Sequence, residues 1–147
     1  MTRRALLGAG VVALTAGCGP PEHQEIAPAE VLGEQLDASR AAAAAHEPGA
    51  LAVAAQARAE QLEAAVRRAG GTPGPPPRGG ATGVGAALVA EHAALVAHVQ
   101  AVGRLGAREW RELFGELIPG VAASEAALLA QLGRSPAPTA FPGQPAR

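Results

Sequence analysis

Apolar residues recur at helical spacing in four stretches of the chain, and glycine or proline closes each stretch. The first predicted helix covers residues 28–46, with Pro28 in the first turn, where its missing amide costs nothing. Glu47-Pro48-Gly49 breaks it, and its apolar face is thin: Leu32, Leu36 and Ala43. The second covers 50–69, with Leu51, Ala55, Leu62, Val66 and Ala69 on one face and Gly70-Gly71 as the stop. Arg67 and Arg68 sit in its last turn, where the macrodipole favours cations. The third, over 82–104, is expected to bury Val84, Leu88, Leu95, Val99 and Val102. The fourth, over 107–132, is expected to bury Trp110, Phe114, Leu117, Val121, Leu128 and Leu132. Pro119 lies inside that pattern, where it removes a backbone hydrogen bond and is expected to kink or split the helix.

Residues 70–80 hold so much glycine and proline that they cannot be helical. Pro75 to Pro77 favour a polyproline conformation, suited to a peptide-binding module's ligand or, more simply, to a semi-rigid crossover. Two helical hairpins with short turns and a longer middle connection predict an all-α fold, an antiparallel four-helix bundle over 28–136. There is a faint repeat, since each hairpin ends in a glycine followed by a proline, Gly70 to Pro73 and Gly133 to Pro136. Residues 137–147 form a Pro-rich tail, expected to be extended.

Composition narrows the function classes. Twelve basic residues, all Arg, stand against thirteen acidic ones, which gives no basic stripe for nucleic acid. Aromatics make up 2% and Tyr is absent, so no stacking platform for bases is expected. Abundant Ala and scarce Ile and Phe imply helices packed closely through small side chains.

The single cysteine, Cys18, ends the apolar run at the front. Arg3 and Arg4 make a positive start, and residues 5–17 are apolar but shorter than the roughly 20 residues a bilayer span needs. Residues 1–17 therefore read as a cleaved signal peptide. Leu14-Thr15-Ala16-Gly17-Cys18 resembles the bacterial lipoprotein cleavage motif, although Thr15 stands where Leu is commonest. In that family a peptidase cuts before the cysteine, whose sulfur carries a diacylglyceryl group. The resemblance implies lipidation at Cys18, a tether over 18–27, and a mature protein held by membrane lipid on the extracytoplasmic face. The adjacent arginines also resemble the twin-arginine export motif, which implies export in the folded state; the general secretion route stays open. With Cys18 consumed, the domain can make no disulfide and must be held by packing.

In the third predicted helix, Ala90-Glu91-His92-Ala93-Ala94 resembles a ferritin-like domain of secreted actinobacterial proteins. So do residues 123–129 followed by Leu132-Gly133, and Gln61 to Val66 leading into Gly70-Gly71-Thr72-Pro73. In metal-binding members each hairpin supplies a Glu from its first helix and a Glu-x-x-His from its second, projecting into the bundle centre. Carried over, Glu91 matches the first-helix carboxylate of the second hairpin and Glu125 the Glu of its Glu-x-x-His, but Leu128 stands at the histidine position. In the first hairpin Glu30 or Glu34 matches the carboxylate, and Arg58 and Gln61 occupy the second-helix positions. No Glu-x-x-His occurs anywhere in the chain, so a di-iron site, and the ferroxidase or oxygenase activity it would bring, is not expected.

The helical periodicity leaves ionisable residues facing inward. His92 and Glu125 fall within the apolar arcs of their helices, Arg58 sits on the seam of Leu51, Ala55 and Leu62, and Glu91 and His98 lie at an arc's edge. Buried charges need partners. The candidate site is therefore a buried polar cluster of Arg58, Glu91, His92 and Glu125, in which Arg58 takes the room of a cation and pairs with Glu125, Glu91 or both. Snorkelling of these side chains to the bundle edges is the alternative. A mononuclear metal at His92 and Glu125 with His98 or His46 meets a geometric objection: His92 and His98 are about 120° apart around the helix. No catalytic residue, metal or cofactor is expected, because no hydroxyl has a basic neighbour at a suggestive spacing and no phosphate loop is present. The expectation is a non-enzymatic binding or interaction module. The alternatives are a degenerate ferritin-like metal or redox protein and an accessory subunit completed by a protein partner or a homodimer mate.

Overall fold

The computed structural model describes residues 27–135. The signal segment with Arg3 and Arg4, the tether with Cys18, and the Pro-rich tail lie outside the described residues. Within them the chain is all-helical: α1 (Pro28–Ala45), α2 (Ala50–Arg68), α3 (Val84–Val102) and α4 (Arg108–Gln131), with no strand. Four-residue and five-residue turns, 46–49 and 103–107, fold α1 against α2 and α3 against α4. α1 also packs along α3 and α2 along α4, which leaves α2 and α3 diagonally opposed. Contacts such as Gln35 with His98 and His46 with Glu91 show α1 running antiparallel to α3.

Both hairpins end in the same device. At α2, the Gly71 amide donates to the Val66 carbonyl and the Gly70 amide to that of Arg67, with Gly70 at φ 80°. At α4, Arg134 donates to Leu129 and Gly133 to Ala130, with Gly133 at φ 67°. These are Schellman closures, which need a left-handed residue that glycine adopts without a Cβ penalty. The faint sequence repeat is thus a repeated helix stop.

Because α2 ends where α1 begins and α3 starts where α1 ends, the connection over 69–83 travels the length of the bundle beside α1. A Cβ on Gly71 would lie 2.9 Å from the Ala29 Cβ. The Gly74 carbonyl accepts from Arg40 at 2.5 Å, and Gly83 donates to the Ala45 carbonyl at 3.1 Å. Arg40 also holds Glu63 at 2.7 Å, so one side chain ties α1, α2 and the crossover together.

The core is uneven. Its main cluster, at the end where α4 begins, includes Leu32, Leu36, Leu62, Trp110, Phe114 and Leu117. Smaller clusters follow around Ala42, Ala94 and Val121, and then around Ala45, Ala87 and Leu128. Polar layers separate them. α4 buries Trp110, Phe114, Leu117, Val121 and Leu128 as expected, whereas Leu132 is exposed and Ser124 fills the inward position between Val121 and Leu128. Pro119 does not split α4: it points outward and the helix continues past it. On α1, Ala43 is only half-buried, and Val31, Gln35, Ser39 and Ala42 join Leu32 and Leu36 inside.

α3 differs most from expectation. Its buried seam is Ala87, Glu91, Ala94, His98 and Ala101, not the larger residues Val84, Leu88, Leu95, Val99 and Val102, which are half-buried or exposed. Alanine takes three of the five inner positions, and Ala94 packs against Ala42 of α1. By length and composition α3 and α4 are also apolar enough to cross a bilayer.

Candidate functional site

Arg58 reaches the bundle centre because α2 places it on the inner seam with Ala55, Ala59 and Leu62. Its Nη2 donates to Glu91 Oε1 at 2.6 Å across the diagonal from α2 to α3. Its Nη1 donates to Ser124 Oγ at 3.2 Å and to the Gly120 carbonyl at 3.4 Å, both on α4. The Arg58 side chain lies directly over Gly120, where a Cβ would be in ordinary contact with Arg58 Cδ at 3.6 Å. Ser124 Oγ in turn donates to the Gly120 carbonyl at 3.2 Å. The Glu91 side chain is fully buried, and its Oε1 also accepts from His46 Nε2 at 2.8 Å. Four helical segments therefore meet at one carboxylate: α2 and α3 directly, α4 through Arg58, and the end of α1 through His46. Glu91 Oε2 has no hydrogen-bond partner.

A second buried layer lies about two turns further along α3, at His98. The His98 Nδ1–H donates to Gln35 Oε1 at 2.9 Å, and His98 Nε2 accepts from Ser39 Oγ at 3.1 Å. This neutral tautomer satisfies both ring nitrogens of His98. Burial, and then the nearby positive charge of Arg58, push the His98 pKa down to about 4. The Phe114 ring packs edge-on against the imidazole at 5.2 Å between centroids.

The structure divides the four residues of the predicted cluster. Arg58 and Glu91 come together in the centre. His92 and Glu125 do not join them: His92 Nδ1 meets Glu125 Oε1 at 3.0 Å on the outside of the α3–α4 pair, with the His92 side chain 64% exposed. The reason is a shift of helix phase. On α3 the inner seam passes through Glu91 and not the next residue; on α4 it passes through Ser124 and Leu128, one residue away from Glu125. Of the other positions matched to metal ligands, Glu34 pairs with Arg104 at the surface, and Glu30 and Gln61 are exposed. No group of three or more His, Cys, Asp or Glu suited to a metal ion lies together among the described residues.

His46, Ser124, Gln35 and Ser39 join the buried network beyond the residues expected from the sequence, and His98 lies fully inside rather than at an arc's edge. The available signal was the spacing of Ala87, Glu91, Ala94, His98 and Ala101, a 4-3-4-3 seam of small and polar residues on α3. Hydrophobicity ranks that seam below the valine and leucine face beside it.

Chemically, the centre is a charge-compensating network. The Ser124 hydroxyl is held by a guanidinium and a carbonyl, so it has no base to take its proton. Ser39, His98 and Gln35 have the connectivity of a hydrolase triad, but all three are buried and the third member carries no charge. His46 links the network to the exterior: it also lines a cavity of about 270 Å³ with Leu51, Val84, Ala87, Leu128 and Gln131. Comparison with protein-family models, curated proteins and solved structures returns no match for the chain.

Proposed function

We propose that the chain is a lipid-anchored, extracytoplasmic helical-bundle protein of ferritin-like type, a non-enzymatic binding or interaction module whose centre is closed by an ion pair. The Arg58–Glu91 contact at 2.6 Å carries this reading. The resemblance assigns Glu91 to a metal-ligand position, and there its buried carboxylate meets a guanidinium fixed to the neighbouring hairpin. A side-chain cation compensates that carboxylate as a bound ion would, without requiring a third or fourth ligand. Two hairpins joined by one long crossover support the ferritin-like assignment. The address rests on the sequence: the twin arginines Arg3 and Arg4, the short apolar run, and Ala16-Gly17-Cys18. Two or more acyl chains at Cys18, each methylene contributing about 0.8 kcal/mol, hold a protein stably on a bilayer.

Mass spectrometry of the membrane fraction tests the anchor: the mature chain starts at Cys18 and carries a thioether-linked diacylglyceryl group, and Cys18→Ala releases the protein from the membrane. Elemental analysis after dialysis tests the centre. Less than stoichiometric iron, zinc and copper is expected; stoichiometric metal that Glu91→Gln abolishes overturns the ion-pair reading.

A further inference from the structure

The α3 helix is built inside out. Alanines, Glu91 and His98 face the bundle, while Val89, Val96 and Val99 face away, 71%, 43% and 56% exposed. At about 100° per residue the two sets lie on nearly opposite sides of the helix. The outward positions Gly85, Val89, His92, Val96, Val99 and Gly103 follow a 4-3-4-3-4 spacing, the spacing by which one helix packs along another. Glu91 is the only Asp, Glu or Arg within α3, and it points inward, so this outer seam carries no formal charge. Its one titratable side chain, His92, is paired with Glu125 of the same chain.

We propose that the outer seam of α3 pairs with the same seam of a second copy of the chain, the two helices antiparallel about a two-fold axis. The spacing is a palindrome about Ala94. An antiparallel copy therefore sets Val89 of one chain against Val99 of the other, Val96 against His92, and Gly85 against Gly103, where two glycines let the helix ends approach. A parallel copy sets His92 against His92 and brings two polar rings together at the seam. A two-fold interface must be complementary to itself, and a charge-free symmetric seam meets that condition. The outer face of α4, with Arg108, Glu109, Arg111, Glu112 and Glu116, does not. A bilayer surface fits less well, because interfacial helices carry basic residues on their polar flanks and α3 has none.

Sedimentation equilibrium of the full chain carrying Cys18→Ser, which removes the only thiol, tests the pairing. A dimer is expected. Val99→Glu, which sets a carboxylate against the apolar Val89 of the other copy, weakens it about a hundredfold, with the helical circular dichroism unchanged. Val53→Glu, at an equally apolar exposed site on α2, leaves the dimer intact. In the same background the Val89→Cys/Val99→Cys variant oxidises to a covalent dimer, and Val89→Cys alone does not. A monomer with the native α3 seam, whether or not it floats with lipid vesicles, overturns the proposal, as does a dimer indifferent to Val99→Glu.

Discussion

Arg58 on α2 and Glu91 on α3 meet at 2.6 Å across the diagonal of the bundle, between two helices that share no backbone contact. The pair fixes how one hairpin sits on the other, because Arg58 also binds Ser124 and Gly120 while Glu91 also holds His46. A buried ion pair is weak evidence for stability and better evidence for registry. Here the registry is that of the two hairpins, whose α2–α4 side is the more sparsely packed.

The other carboxylate that the sequence turned inward behaves differently. Glu125 meets His92 on the outside of the α3–α4 pair, where a contact of this kind contributes about 0–1 kcal/mol. Glu125→Gln is expected to lower the unfolding free energy by no more than that, read by urea titration. A loss of several kcal/mol would return Glu125 to the core.

His98 makes stability depend on pH. Its folded pKa, about 4, lies below the unfolded value near 6.5, so the unfolded chain binds the proton more readily. The contribution is fully present above about pH 6.5 and is lost as pH falls through the window down to about 4, on the order of 3 kcal/mol in total. Urea titrations across that window should show the decline, and the imidazole resonances of His98 should stay in the neutral form down to about pH 5. A His98 that titrates near 6.5 in the folded protein contradicts its placement between Gln35 and Ser39.

Close helix approach predicts an intolerance to larger apolar side chains. Ala94 packs against Ala42 and Val121, and Ala94→Leu is expected to cost about 1–3 kcal/mol by overpacking. Val53→Leu, on the exposed side of α2, should stay within about 0.5 kcal/mol. Equal tolerance at both positions would mean that α3 does not present Ala94 to α1.

The crossover has its own point of closest approach. A methyl on Gly71 would lie 2.9 Å from Ala29 Cβ and 3.0 Å from Val66 Cγ1, so Gly71→Ala should lower stability by about 1–3 kcal/mol. Gly74→Ala meets nothing closer than 3.9 Å and should be close to neutral. Thermal unfolding of the two variants side by side checks this.

The four helices, their turns and the non-helical crossover were legible because glycine and proline punctuate a strongly helical composition. The structure places each predicted end within two residues. Trp110, Phe114 and Leu117 were legible as core because large apolar residues have few alternatives to burial. The α3 face was not. Its valines and leucines dominate any hydrophobicity average, yet alanines take the seam toward α1 and the valines are left outside. Once that phase is shifted by less than a turn, Glu91 moves inward and His92 outward, and on α4 Ser124 replaces Glu125. Arg58 was legible from its position on the α2 seam. Its partners were not, since pairing across the diagonal depends on the relative rotation of α3, which no single-helix pattern contains.

A double-mutant cycle on Arg58 and Glu91, read by urea unfolding, tests the closed centre most directly. Arg58→Met and Glu91→Met each strand a buried charge, and each is expected to cost about 3–5 kcal/mol, a large share of the roughly 5–15 kcal/mol that holds a domain of this kind. The Arg58→Met/Glu91→Met protein should be more stable than the sum of the two losses allows, by 2 kcal/mol or more (roughly the upper range for contacting residues). Two small losses that simply add would contradict the account, because residues that do not meet in the core have nothing to couple them.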